Sequence, residues 1–328
     1  MRKSAIALLA LAAVLGCREV SSKGKEAVKK ITFAYTTQPQ STLVHVALAK
    51  GYFAEEGLEI QPLVHTYGKA ALQSLLEDKA DFATVAETPI MFSVLKGEAF
   101  FVIANIEASN KNNAIVARKG AGIAAPKDLR GKRIGYTPGT TSDFFLDAYL
   151  TTIGLTRQAI RPLPLKPEEM LAAMLGQKVD AVSTWNYPLT EIQRQLGSNS
   201  AVFFDQEIYT ETFNIVASQR MVEKNPDAVK GLLHALVKAE HFARAHPTVA
   251  QAIMAATTNT DEGLVREVWD AFHYRVKLDQ TLLITMEDET RWAMTQKLTK
   301  RTDMPNYRSY LHPESLRSLR PEAVSLGR

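Results

Sequence analysis

Two kinds of hydrophobic pattern alternate along the first two thirds of the chain. Short runs rich in β-branched and aromatic residues, such as Ile31–Tyr35 and Leu58–Val64, predict strands. Apolar residues at helical spacing predict helices over Thr42–Lys50 and Lys69–Leu76. Strands that alternate with helices favour an α/β fold with mainly parallel sheets. Further strands are predicted at Asp81–Ala86, Arg133–Tyr136 and Arg161–Leu165, and a further helix at Glu168–Leu175.

One stretch of the chain has a second copy later in the sequence. The segment Leu76–Pro89 matches Leu175–Pro188, with leucine, lysine, aspartate and proline at the same relative positions. Upstream of each copy, a Tyr-Thr pair and a Gly-Leu pair occur in the same order. Three matches in one order predict two similarly built lobes.

The pattern becomes mostly helical after the second copy. Asn225, Pro226 and Asp227 form a strong helix start, because they supply an N-cap, a proline at the first helical position and an acid in the first turn. No third strand-rich copy follows, so we expect this region to cover the two lobes. Later helices are predicted around Thr248–Ala256, Gly263–Tyr274 and Glu287–Leu298.

Composition narrows the class of protein without naming a function. The 328 residues are enough for one large domain or two ordinary ones, and the chain is 46% hydrophobic. The net charge of +4 is spread without long basic runs, so nothing favours nucleic-acid binding. Gly120–Ala125 fits a dinucleotide-binding glycine pattern, but Pro126 follows at once, so we reject that site.

The N-terminus has the features of an export signal. Arg2 and Lys3 precede a short apolar stretch, and Cys17, the only cysteine of the chain, follows the small residue Gly16. The stretch Val14–Cys17 resembles the lipobox of bacterial lipoproteins. We therefore expect a signal peptide over residues 1–16, lipidation at Cys17 and a polar tether over 17–30. An ordinary signal peptide is the alternative.

Polar loops follow the predicted strands of both copies. In open parallel sheets ligands bind beyond the carboxyl ends of the strands, so these loops should line one cleft. They hold hydroxyls, amides, aromatics and one carboxylate, with almost no lysine or arginine and no histidine. That composition suits recognition better than proton transfer. The loops are Thr36–Ser41, Thr66–Lys69, Glu87–Pro89, Thr137–Ser142 and Trp185–Pro188.

Each candidate residue has a chemical role and a structural alternative. The Thr140–Ser142 segment offers hydroxyls and helix N–H groups to an anion, or it is simply an N-cap. Glu87 offers an acceptor to an amine, or it is a solvent-facing acid. Trp185 and Tyr187 can stack on a planar ligand, or they pack between the lobes. The candidate ligand-binding residues are Thr37, Gln38, Tyr67, Glu87, Thr88, Thr140, Thr141, Ser142, Trp185, Asn186, Tyr187 and Asn214.

Three segments carry a resemblance to a known family. The segments Leu48–Ile60 (LAKGYFAEEGLEI), Asp128–Thr140 (DLRGKRIGYTPGT) and Val179–Pro188 (VDAVSTWNYP) resemble the periplasmic substrate-binding proteins of ABC transporters. The branch is the nitrate/sulfonate/taurine and thiamine-pyrimidine family. The resemblance implies a periplasmic-binding-protein type II fold, with residues 31–114 and 216–328 in one lobe and 115–215 in the other. It also implies two crossing strands, Ala114–Arg118 and Asn214–Ser218, as the hinge.

The resemblance also implies a function. We expect a monomeric, exported lipoprotein, anchored through Cys17, that captures a small sulfonate, amine or pyrimidine-like solute and delivers it to an ABC permease and ATPase. No cofactor or metal is expected. A lipid-anchored sensor or adaptor of the same fold is the alternative. An enzyme is less favoured, because the pyrimidine-synthase relatives use a cysteine-rich motif that this chain lacks.

Overall fold

The computed structural model describes residues 28–327. The predicted signal peptide and the lipidation site lie outside the described residues. The expected tether runs to residue 30, but Lys29 and Lys30 already belong to the first strand. Pairing with the next strand holds both residues, since Lys29 lies opposite Leu58 in a parallel ladder.

The described chain forms strands and helices that alternate along most of its length. The strands are β1 (Lys29–Thr36), β2 (Leu58–His65), β3 (Phe82–Ala86), β4 (Phe101–Ser109), β5 (Asn113–Arg118), β6 (Arg133–Tyr136), β7 (Arg161–Pro164), β8 (Ala181–Trp185), β9 (Ser200–Phe203), β10 (Glu211–Ala217), β11 (His273–Asp279) and β12 (Val324–Ser325). The helices are α1 (Thr42–Ala49), α2 (Tyr52–Glu55), α3 (Gly68–Leu76), α4 (Glu87–Lys96), α5 (Thr141–Thr152), α6 (Met170–Leu175), α7 (Pro188–Leu196), α8 (Gln219–Lys224), α9 (Pro226–Ala245), α10 (Pro247–Thr258), α11 (Glu262–Val268), α12 (Gln280–Thr295) and α13 (Glu314–Leu319).

The strands form two separate mixed sheets. The first has the order β12-β11-β4-β10-β3-β1-β2, and the second has the order β7-β6-β8-β5-β9. The expected parallel pairing holds for β2-β1-β3 and for β7-β6-β8. In contrast, β10 and β5 run antiparallel to both of their neighbours. Both sheets are therefore mixed, and the antiparallel strands adjoin the places where the chain changes sheet.

The chain crosses between the sheets at other places than the sequence suggested. It leaves the first sheet after β4 and joins the second at Asn113, and it leaves the second after Phe203 and returns at Glu211. The expected hinge strand Ala114–Arg118 lies inside β5, and the expected strand Asn214–Ser218 lies largely inside β10. Ladder hydrogen bonds fix those residues, so the crossing segments are 110–112 and 204–210 instead.

The two sheets have separate hydrophobic cores. The first sheet is covered by a large core that includes Phe33, Phe82 and Leu232. The second has a core on each face, one around Phe145 and one around Met174. Strands β3, β5, β8 and β10 are buried along their whole length, which is typical of strands covered on both faces, although β10 carries the polar residues Glu211, Thr212 and Asn214.

The C-terminal region covers the first sheet and adds a strand that was not predicted. The predicted helix Gly263–Tyr274 ends at Val268, and His273–Asp279 forms β11. Val276 and Leu278 alternate with more exposed residues, which is the pattern of a strand. The following helix begins at Gln280 and not at Glu287. Within residues 28–327, no helix is long and apolar enough to cross a membrane.

Gly68, at the start of α3, gives a test of how closely the first lobe is packed beside the cleft. A Cβ atom there would lie 2.9 Å from the Cα of Val85 and 3.3 Å from the ring of Phe213. Backbone cannot move aside as a flexible side chain can. We expect Gly68→Ala to lower the free energy of unfolding by about 1–3 kcal/mol, measured by urea denaturation.

Gly120→Ala is the matched control for this substitution. The nearest atom to its Cβ would be Oδ1 of Asn199 at 3.3 Å, in an exposed loop. Equal stabilities of the two variants would contradict the packing of α3 against β3.

Candidate functional site

The strand ends of both sheets meet at a seam, and a small cavity lies in it. This central chamber has a volume of about 20 Å³, which is room for about one water molecule. The first lobe supplies loop residues after β1 and β2, and the second supplies Thr140, Thr141 and Trp185. The lining residues are Gln38, Gln40, Tyr67, Gly68, Lys69, Ala86, Pro89, Thr140, Thr141, Trp185, Glu211 and Phe213.

A larger cavity adjoins the central chamber. This outer chamber has a volume of about 260 Å³ and shares Gln38 and Trp185 with the central chamber. Two carboxylates, Glu168 and Glu191, lie in its wall. The other lining residues are Thr37, Thr66, Pro167, Leu171, Tyr187 and Pro188.

The carboxylate of Glu211 organises the wall of the central chamber. It is 1% exposed and accepts hydrogen bonds from Gln40 Nε2 at 3.0 Å, Asn112 Nδ2 at 2.9 and 3.0 Å, and Asn113 Nδ2 at 2.6 Å. Burial raises the pKa of Glu211 above its ordinary value, and these donors oppose that shift. Glu211 therefore joins the two crossing segments to the first lobe.

Glu87 does not line either chamber, in contrast to the prediction. Its side chain is fully buried at the start of α4 and accepts hydrogen bonds from Tyr209 Oη, Thr212 N at 2.7 Å and Thr212 Oγ1 at 2.9 Å. Burial raises the pKa of Glu87 to about 8, and the nearby charge of Glu211 adds to this. Glu87 therefore lies outside the chamber and holds the second crossing segment through its hydrogen bond with Tyr209.

Four more predicted residues form structural hydrogen bonds and do not line the chambers. Thr88 donates to Glu289, and Ser142 Oγ accepts from Thr137 N at 2.9 Å. Asn186 donates its N–H to Asn112 Oδ1 at 3.1 Å and accepts from Thr190 Oγ1 at 2.6 Å. Asn214 lies inside β10, where its amide donates to Thr212 O at 3.2 Å. Their polar groups serve the lobes and the crossing segments.

The predicted anion site at the start of α5 is already occupied by the chain's own carboxylate. Asp143 Oδ2 accepts from Gly139 N at 2.8 Å, and Thr140 Oγ1 donates to Thr137 O at 2.7 Å. Asp143 also pairs with Arg157 at 2.6 Å. Gly139 N and Thr140 Oγ1 are therefore bonded within the chain, and the helix start offers neither of them to an anion.

Seven predicted residues do lie at the chambers. Gln38, Tyr67, Thr140, Thr141 and Trp185 line the central chamber, and Thr37, Gln38, Trp185 and Tyr187 line the outer one. Sequence analysis missed Gln40, Lys69 and Glu211. Gln40 and Lys69 stand in loops that were identified, but Glu211 follows no predicted strand end, and the repeat does not reach it.

Buried polar atoms at the chambers lack partners. Gln40 Oε1 and Trp185 Nε1 in the central chamber, and Tyr187 Oη in the outer one, have no hydrogen-bond partner among the described residues. A buried polar group left unpaired costs about 1–3 kcal/mol. The central chamber thus presents one free acceptor and one free donor. Between residues 28 and 327, no group of three or more histidine, cysteine, aspartate or glutamate side chains is placed to hold a metal.

Contacts also cross the seam beside the chambers. Trp292 Nε1 on α12 donates to Asp147 Oδ2 on α5 at 2.8 Å, and the ring of Trp292 packs on Phe144. Arg194 on α7 pairs with Glu267 on α11 at 2.7 Å. Lys69 Nζ donates to Pro138 O at 2.7 Å. The lobes are therefore closed on each other, which agrees with the small central volume.

A family model described as "NMT1/THI5 like" matches residues 38–250. The chain belongs to the NMT1/THI5-like family. The resemblance seen in the sequence is thereby confirmed, since this family includes the thiamine-pyrimidine branch to which the three segments pointed.

Members and structural neighbours of this family have different names. A Bacillus subtilis protein provisionally named as an aliphatic sulfonates-binding protein is 27% identical over 82% of each chain. The 4-amino-5-hydroxymethyl-2-methylpyrimidine phosphate synthase of Candida albicans is 25% identical over 68% of this chain and 70% of its own. The crystal structure of the Escherichia coli periplasmic aliphatic sulphonate binding protein superposes with a TM-score of 0.74 at 18% identity, covering 86% of this chain and 97% of that one. The predicted periplasmic-binding-protein fold is confirmed.

The buried carboxyl of Glu87 predicts a pH dependence of stability. Its folded pKa of about 8 lies above the ordinary value of about 4.3 for an unfolded chain. Between these values the folded protein holds a proton that the unfolded chain releases, so the free energy of unfolding falls as pH rises, by up to about 1.4 kcal/mol per pH unit for one such group. We expect Glu87→Gln to show a shallower fall in urea denaturation between about pH 5 and pH 8.

For Glu87→Gln, the prediction concerns the slope of the free energy of unfolding against pH and not the absolute stability. The amide loses one acceptor for Tyr209 or Thr212, so the variant is expected to be less stable at low pH as well. Glu191→Gln, at an exposed acid of the outer chamber, is the charge control. If Glu87→Gln and the unchanged protein had the same slope, the buried carboxyl would not be the source.

Proposed function

We propose that the chain is the solute-binding component of an ABC import system and captures a small solute between its lobes. The observation that carries this is the central chamber, where a free acceptor and a free donor face a closed seam. Both groups are at most 4% exposed. A solute that pairs with Gln40 Oε1 and Trp185 Nε1 would remove the cost of burying them, and it would do so only when both lobes are in place.

The chemistry of the chamber favours a solute with an N–H head group. Glu211 stands in the wall, Gln40 Oε1 needs a donor, and Lys69 is the one lysine or arginine side chain that the structure describes there. Trp185 Nε1 needs an acceptor and brings an aromatic ring. We propose an amine, or the amino group of a heterocycle, as the head group in the central chamber, in agreement with the amine or pyrimidine expected from the sequence. The carboxylate is Glu211, in place of Glu87.

Names of relatives support two versions of this proposal. One relative is named for aliphatic sulfonates and another for a pyrimidine phosphate. A sulfonate alone fits the central chamber less well, because the carboxylate of Glu211 lies in its wall. A solute that joins an N–H head to another group is compatible with both names.

Export and delivery are further parts of the proposal. We infer that residues 1–16 direct export, that Cys17 carries a lipid and that the mature protein lies outside the cytoplasmic membrane. We also infer that the closed lobes dock on a permease that works with an ATPase. These inferences rest on the lipobox resemblance and on the periplasmic structural neighbour.

We propose binding without catalysis, although one relative is named as a synthase. The described walls of the central and outer chambers contain no histidine and no cysteine. Glu211 is held by three amide side chains, which leaves it poorly placed for proton transfer. Product formation from a bound solute would contradict this part of the proposal.

A calorimetric panel tests the solute class. The panel contains alkylamines, aminopyrimidines, alkanesulfonates and nitrate. We expect members with an N–H head to bind and nitrate not to bind, because nitrate offers only acceptors. Binding of nitrate or simple sulfonates in preference to every amine would contradict the assignment of Glu211 and Gln40 to the site.

Trp185→Phe tests the free donor of the central chamber. The ring is kept and the N–H is lost, so we expect the affinity of the best panel member to fall by about 1–2 kcal/mol, or about fivefold to thirtyfold. Trp269→Phe, outside both chambers, should bind as the unchanged protein does. Equal effects of the two substitutions would remove Trp185 from the site.

A further inference from the structure

A third cavity continues the seam on the side away from the outer chamber. This rear chamber has a volume of about 240 Å³ and shares Lys69 and Pro89 with the central chamber. Both lobes build it: α3, α4 and Leu298 on one side, and the Pro138–Asp143 turn on the other. Its apolar wall consists of Leu72, Leu76, Pro89, Phe92 and Leu298.

Two lysines and one described acid line the rear chamber. Lys69 donates to the neutral carbonyl of Pro138 at 2.7 Å, and Lys96 has no hydrogen-bond or ion-pair partner among the described residues. Asp143 is the one described acid in the wall, and it is already paired with Arg157 at 2.6 Å and bonded to Gly139 N. Two lysines therefore line an apolar cavity whose one described acid is already paired with Arg157.

The charged residues of the three chambers change from acidic to basic along the seam. The outer chamber has Glu168 and Glu191 in its wall, the central chamber has Glu211, and the rear chamber has Lys69 and Lys96. A solute lying along the seam would meet carboxylates at one end and ammonium groups at the other. The apolar wall of the rear chamber suits a hydrocarbon or ring spacer beside these lysines.

We propose that the rear chamber binds the anionic end of the transported solute, spaced by an apolar part from the N–H head in the central chamber. This rests on the proposed function, since it uses the same seam and the same head group. Lys96 is then a specificity-determining residue that selects solutes with a carboxylate, sulfonate or phosphate end over neutral ones. Lys69, at the wall shared by both chambers, aids the same selection.

Matched pairs of probes separate the head from the anionic end. Hexylamine and ε-aminocaproate differ by one carboxylate, and hydroxymethyl-aminopyrimidine and its phosphate ester differ by one phosphate. Calorimetry on the full chain should give at least tenfold tighter binding of the anionic member in at least one pair. Lys96→Met should reduce that preference to less than about threefold and leave the affinity for the neutral member unchanged. The reason is that the ammonium of an exposed lysine contributes mainly through its charge.

Lys79→Met is the matched control, because Lys79 is an exposed lysine of the same lobe that pairs with Glu77 at 2.6 Å. It should keep the full preference for the anionic member. Acetylation of lysines, followed by mass spectrometry, gives a second readout that does not depend on folding of a variant. The anionic probe should protect Lys96 at saturation, and the neutral probe should not.

The outcomes separate this inference from the proposed function. Equal binding of both members of every pair, or a preference that survives Lys96→Met, overturns the rear-chamber inference and leaves the N–H head in place. No binding by any of the four probes overturns the head group itself. Protection of Lys96 by the neutral members as well would also contradict the inference.

Discussion

The buried carboxylate of Glu211 is the constraint on which the rest of the seam depends. It lies on β10, directly after the second crossing segment. It accepts hydrogen bonds from Asn112 in the first crossing segment, from Asn113 at the start of β5 and from Gln40 in the first lobe. Hydrogen bonds to a charged group contribute about 1.5–3 kcal/mol each, and losing one partner of a buried charge costs more. The crossings and the chamber wall therefore form one unit.

This unit explains why several polar residues near the cleft do not face a ligand. Glu87 holds the second crossing through Thr212 and Tyr209, and Asn112 accepts from Asn186 N at 3.1 Å. Through Tyr209 and Asn112, these contacts tie both crossing segments to neighbouring elements. Some buried polar atoms still lack partners among the described residues: those of Gln40, Trp185 and Tyr187 lie at the chambers, and others, such as those of Asn105 and Glu107, lie away from them.

Closure of the lobes rests partly on contacts that are weak on their own. The pair between Arg194 and Glu267 is exposed, and such pairs contribute about 0–1 kcal/mol. The Trp292–Asp147 hydrogen bond is partly buried and packs beside Phe144, so it is the stronger contact. A solute that bridges the lobes can shift this balance only by its greater affinity for the closed form.

The hydrophobic patterns of single strands and helices predicted the fold well, because each pattern depends only on the residues of its own segment. The strand Arg133–Tyr136 and the α/β order follow from short apolar runs between helices. The strand β11 was missed, since its alternation continues directly from an apolar helix. The polar loops that follow predicted strands identified Gln38 and Trp185. The position of Glu211 at the site depends on which strands pair, and sequence spacing does not predict strand pairing. For the same reason, the sequence did not predict that the chain crosses between the sheets beside the expected hinge strands and not within them.

In the proposed function, a solute is held in the central chamber by Gln40 and Trp185, with Glu211 in the same wall. A crystal structure of the protein with the tightest member of the calorimetric panel tests it most directly. We expect a solute within hydrogen-bond distance of Gln40 Oε1 and Trp185 Nε1, with Glu211 still bound to Asn112 and Asn113. A solute seated outside the seam, or one in the seam that touches neither Gln40 nor Trp185, would contradict it.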